Sequence, residues 1–150
     1  MSEVKECPKL TLGVEGSIRL SGIKDLQQLL NSISPKLIDR EFVFLTMAGT
    51  LREYVDLEPV ATFVEPEGLT LVVEKTVAEQ HGLSFEGIYK QITLSVHSSL
   101  EAVGLTAAVA EKLAQKGISA NVIAAYYHDH IFVPVVKANE AISALQEFGD

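Results

Sequence analysis

The side chains best placed to do chemistry near neutral pH are the four histidines. Two of them flank an aspartate in His128-Asp129-His130, and a third, His97, stands upstream of that triplet. Imidazoles around a carboxylate suit metal ligation or proton transfer, so His97, His128 and His130 define one candidate reading, a metal-binding protein or metal-dependent enzyme. Against it, Asp129 is a natural turn residue, and two histidines inside a tight turn need not point the same way. A second constellation runs from His97 to Leu105: His97, Ser98, Ser99, Leu100, Glu101, Ala102, Val103, Gly104 and Leu105. Ser98 and Glu101 have the spacing of a capping box. A helix starting there presents unpaired N–H groups and the positive end of its dipole, which suits a carboxylate. Gly104, one turn into such a helix, costs about 1 kcal/mol relative to alanine and lets a backbone or ligand come close. The single cysteine, Cys7, has no His or Asp beside it and no partner for an internal disulfide. No P-loop, nucleophile elbow, CxxC pair or dinucleotide fingerprint occurs, so no catalytic motif or cofactor is indicated.

These residues sit in a stretch with a sharp local pattern. Ile92, Leu94 and Val96 alternate with polar neighbours, predicting a strand. A helix is expected from Ser98, with Leu100, Val103, Ala107, Ala110, Leu113 and Ala114 as its apolar stripe and Gly117 as its stop. Asn121–Tyr127 and Ile131–Val136 read as strands, with His128, Asp129 and His130 as the turn between them. A last helix over residues 137–148 carries Ala138, Ala141, Ile142, Leu145 and Phe148 on one side.

The first half repeats this plan coarsely. Ile23, Leu26, Leu29, Leu30 and Ile33 form a helical stripe ended by Pro35, and Glu41–Met47 reads as a strand with apolar residues on both faces. Residues 51–59 read as a loop with Tyr54 and Leu57 turned inward. Residues 60–74 form a hairpin around Glu65-Pro66-Glu67-Gly68, and Lys75–His81 a short helix closed by Gly82. Helices interleaved with antiparallel strands give an α+β fold with helices layered on one sheet face. Residues 1–20 show no clear period and are read as an extension.

Composition narrows the function. A net charge of −8, with 12 scattered Lys and Arg against 20 Asp and Glu, argues against nucleic acid and anionic membrane surfaces. The 47% apolar content fits a compact globular protein, no apolar run reaches the roughly 20 residues of a membrane span, and the polar N-terminus lacks a secretory signal, so a cytoplasmic protein is expected.

Two segments, SLEAVGLTAAVAEKLAQKGISANVIAAYYHDHIFVP (residues 99–134) and LEPVATFVEPEGLTLV (residues 57–72), resemble the ACT domain, a small βαββαβ ligand-sensing module. Residues 21–148 as a whole look like a bacterial family with two such units in tandem. The resemblance implies two ferredoxin-like units, 21–86 and 87–150, and a non-catalytic sensor for an amino acid or related metabolite. It implies a ligand at an interface between units, held by the His97–Leu105 loop and the strand start Asn121, Val122 and Ile123, with Tyr126, His128, Asp129 and His130 as a rim. It further implies a homodimer and a separate enzyme or regulator that receives the signal. An ACT unit ends in a fourth strand, which the second half lacks; either the first half or a second chain is expected to supply it. An assembly module without a ligand is the remaining alternative, because exposed sheet edges can pair between chains.

Overall fold

A computed structural model of the chain describes residues 26–95 and 103–149. The residues form one six-stranded sheet, ordered β2-β3-β1-β4-β6-β5 and antiparallel throughout. Helix α1, described over residues 26–31, leads through Ile33 into strand β1 (Pro35–Met47), which begins six residues before the expected Glu41. Proline is tolerated at the first position of a strand, so Pro35 both stops the helix and opens β1. A 3₁₀ turn (Leu51–Leu57) follows where a loop was expected, and the Glu53 carboxylate accepts from the Thr50 N–H at 2.7 Å. Tyr54 donates its hydroxyl proton to the Ala48 carbonyl, and Leu57 is buried, as the sequence suggests.

Strands β2 (Ala61–Glu65) and β3 (Gly68–Glu74) close the predicted hairpin across Pro66-Glu67. Helix α2 (Lys75–Gln80) ends at Gly82, whose φ of +64° an L side chain rarely adopts. Next come β4 (Tyr89–Leu94), α3 (Leu105–Gln115), β5 (Asn121–Ala124), β6 (Asp129–Pro134) and α4 (Ala138–Gln146). Among the described residues no helix is long and apolar enough to cross a membrane.

Register explains the architecture. β1 is long enough to serve two neighbours: Pro35–Phe42 pairs with β4, and Phe42–Met47 with β3. The first unit is therefore β1, the 3₁₀ turn, β2, β3, α2 and β4, in the order β2-β3-β1-β4. The second is β4, α3, β5, β6 and α4, in the order β5-β6-β4-β1. The fourth strand missing from the second half is the N-terminal part of β1, supplied by the first half of the same chain. The two central strands belong to both units, so a cut at 86/87 divides the sequence but not the sheet.

The helices lie on one face, over two apolar clusters. Ile92, Leu94, Ile131 and Val133 meet Leu105, Val109 and Leu113 of α3 and Ala141 and Leu145 of α4, with Leu26, Leu29 and Leu30 against them. Val43, Leu45, Leu71 and Val73 meet Leu57 and Ala78. The opposite face holds an aromatic centre, in which Phe42 and Phe44 each stand edge-on to Phe132 at 5.6 Å between ring centroids.

Candidate functional site

His97, Ser98, Ser99, Leu100, Glu101 and Ala102 lie outside the described residues, and with them the expected capping box. The described part of the loop corrects the expectation for α3. Gly104 is not a turn inside the helix; it is the N-cap, with φ +95°, and the helix begins at Leu105. A residue in that left-handed conformation cannot continue a helix from before it into one after it. Val103 is accordingly 88% exposed rather than part of an apolar stripe. The later start also rotates the buried face: Leu105, Val109 and Leu113 are buried, while Ala107 and Ala114 face solvent. A Cβ on Gly104 would meet the Leu26 side-chain methyl Cδ2 at 3.0 Å, so α1 approaches the backbone there, and the φ of +95° is what favours glycine.

The hairpin after α3 is also shifted from its expected place. Its turn is Ala125-Tyr126-Tyr127-His128, closed by the Ala125 N–H donating to the His128 carbonyl at 3.0 Å. Asp129 and His130 are not in the turn but open β6, paired with Leu94 and Thr93. Tyr126 and Tyr127, expected in a strand, are 73% and 66% exposed, their rings edge-on at 4.9 Å.

This register decides which predicted residues lie together. Ala124 pairs with Asp129, which pairs with Leu94, where the chain leaves β4 toward residues 97–102. Tyr126, His128 and Asp129 thus stand at that end of the sheet. Asn121 pairs with Phe132, which pairs with Gln91, three residues down the strand and so about 10 Å away. Asn121 begins β5 at the far end of α3, a helix about 16 Å long, and the strand runs back so that Ile123, opposite His130, stands one residue from Asp129. The Asn121 side-chain amide donates to the Phe132 carbonyl at 3.2 Å, and Ile123 joins the aromatic face.

His130 is held on the same face as Phe132. Its Nδ1 accepts from Gln91 Nε2 at 3.1 Å and lies 3.0 Å from the Thr93 hydroxyl, an arrangement that suits the neutral ring. Burial pushes its pKa below the ordinary histidine value, the His128 charge adds to this, and Asp129 opposes it. Among the described residues no three His, Cys, Asp or Glu side chains approach closely enough to share a metal ion.

A second concavity was not anticipated. Between Leu37, paired with Ile92, and Glu41, paired with Lys90, β1 takes four steps while β4 takes two, so two extra residues bulge outward. Beside the bulge is a cleft of about 380 Å³ lined by charged residues of β1, β3, α2 and β4. The charged triplet Asp39-Arg40-Glu41, interrupting an apolar run, is the sequence signal that marks it.

Family models for the ACT domain match residues 21–90 and 86–147. A Vibrio cholerae protein of unknown function, titled a "Possible Transport Protein", is 59% identical with a TM-score of 0.80, over 86% of this chain and 99% of that one. The chain belongs to the ACT-domain family.

The two ACT units share β1 and β4, and the same tandem fold recurs at low identity. The regulatory subunit of aspartate kinase from Thermus flavus matches at 9% identity and TM-score 0.55, over 79% of this chain and 97% of that one. The allosteric aspartate kinase of Clostridium acetobutylicum matches at 11% identity and TM-score 0.58, over 79% of this chain and 34% of the enzyme. No curated protein matches the chain.

Proposed function

We propose that this tandem ACT protein is a non-catalytic sensor that binds an amino acid or related metabolite and passes its occupancy to a separate enzyme or regulator. The observation that carries the reading is the pair of ACT matches, side by side over residues 21–147, on a fold shared with an aspartate kinase regulatory subunit. ACT domains are regulatory modules, in line with a protein that does no chemistry of its own.

The ligand contacts assigned by this reading are the loop His97–Leu105 and the rim formed by Tyr126, His128 and Asp129. The left-handed Gly104 holds the last loop residue clear of α3, leaving the first N–H groups of an 11-residue helix for a carboxylate. Asn121 of the same unit lies about 10 Å down the strand from this end, whereas Ile123, opposite His130, is one residue from Asp129. The reading takes Asn121 to reach the site from a second copy of the chain, in a homodimer, and places the protein in the cytoplasm.

Equilibrium dialysis of the full chain against each of the twenty amino acids tests the proposal. Saturable binding of at least one is expected, weakened tenfold or more by Gly104→Val relative to a Val136→Ser control at an exposed position outside the loop. Absence of binding by a folded protein, or binding indifferent to Gly104, counts against it.

A further inference from the structure

We propose that the charged cleft at the β1 bulge is a second ligand site, built for a small zwitterion carrying both a carboxylate and an ammonium group. The bulge pushes Asp39 and Arg40 out of the ladder, and β3, the start of α2 and β4 bring Glu74, Lys75 and Lys90 to the same cleft as Glu41. Three cations and three anions line it, so the site is neutral as a whole yet strongly charged in detail.

The pairing is loose. Arg40 Nη1 reaches Glu74 Oε1 at 3.0 Å, but Lys90 to Asp39 and Lys75 to Glu41 are both 3.5 Å, and Lys75 is shared with Glu79 at 3.6 Å. Charge-assisted hydrogen bonds close at about 2.7–2.9 Å, so these lysines and carboxylates keep unused capacity. Each ammonium has three donors and each carboxylate about four acceptor positions, so the one long contact of Lys90 and the two of Lys75 leave acceptors and donors unused. The Lys90 side chain is only 19% exposed, whereas its partner Asp39 is fully in solvent. A largely buried lysine whose counter-charge is solvent-exposed and 3.5 Å away is well placed to exchange that partner for a ligand carboxylate, while Asp39 and Glu41 accept the ligand ammonium.

Size agrees with this assignment. The cleft of about 380 Å³ is near the lower end of small-molecule sites, about 300–1,000 Å³. A net anion or net cation finds as much repulsion as attraction among six balanced charges; a molecule bearing both charges finds two complementary halves. Occupancy also has structural reach, because Lys90 belongs to a strand common to both units while Glu74 and Lys75 belong to the first alone. The site is distinct from the α3 loop and does not rest on it.

Amide NMR spectra of the full chain, titrated with glycine, L-alanine, L-glutamate and L-lysine and with their N-acetyl and amide derivatives, test the site. Free zwitterions are expected to shift the signals of Asp39, Arg40, Lys75 and Lys90, and derivatives lacking either charge to do so at least tenfold more weakly. Asp39→Asn, a substitution in full solvent, and Lys90→Gln are each expected to weaken the response at least fivefold. Equal shifts from blocked derivatives, or no shifts at these four residues, overturn the proposal. Shifts confined to residues 103–105 and 126–129 overturn it while leaving the loop site standing.

Discussion

At the residue scale, Gly104 and His130 show how position decides what a side chain does. Gly104 combines a φ of +95° with a Cβ position 3.0 Å from a Leu26 methyl, which must shift by a few tenths of an ångström to admit a side chain. Gly117 has φ +69° but open space around it. Gly104→Ala and Gly117→Ala are each expected to lose about 1–2 kcal/mol for the left-handed dihedral, as measured by urea unfolding midpoints. His130 carries a pH signature. Its folded pKa lies below the unfolded value of about 6.5, so protonation favours the unfolded chain. Its contribution is fully present above about pH 6.5 and fades as pH falls from there through the lower folded pKa. Urea denaturation between pH 8 and 5 is expected to show this decline, and His130→Gln to flatten it; an unchanged profile in the variant contradicts the assignment.

At the element scale, the described start of α3 is the main departure from what sequence alone conveys. Ser98 and Glu101 carry the spacing of a capping box, and periodicity has no means of showing that Gly104 adopts a left-handed φ that restarts the helix. Leu105→Ala, at a site 2% exposed, is expected to cost about 2–5 kcal/mol, whereas Val103→Ala at 88% exposure changes stability by less than about 0.5 kcal/mol. A helix that began upstream would reverse neither result for Leu105 but would make Val103 costly. The bulge was hidden for a related reason: Asp39-Arg40-Glu41 breaks the alternation that marks a strand, so β1 reads as beginning at Glu41. Tyr126 and Tyr127 have strand-forming side chains yet occupy a turn, because β6 must place Asp129 and His130 opposite Leu94 and Thr93. Other elements were legible because local chemistry agrees with the fold. Pro66 and Gly68 fix the β2–β3 hairpin, Ile92 and Leu94 alternate into the core, and α4 buries Ala138, Ala141 and Leu145.

At the scale of the whole molecule, the tandem ACT resemblance was readable from two segments, but the sharing of β1 and β4 was not. That arrangement depends on one long strand pairing with different neighbours along its length. It makes the halves interdependent: residues 87–150 alone lack β1, leaving one side of β4 unpaired. That fragment is expected to show no cooperative thermal transition, whereas the full chain unfolds in one, with calorimetric and van't Hoff enthalpies equal. The proposed loop site rests in the sequence only on a pattern of residue types. Of the charged cleft only the triplet Asp39-Arg40-Glu41 leaves a mark in the sequence, because the rest of its lining comes from three other elements.

The sensor reading meets its most direct test in scanning calorimetry of the full chain with each of the twenty amino acids. A ligand of the folded state adds about 2.7 kcal/mol of stability at a hundred times its Kd. The account predicts that at least one amino acid raises the midpoint of the single transition progressively with the logarithm of its concentration. A midpoint unmoved by all twenty at millimolar concentration contradicts it.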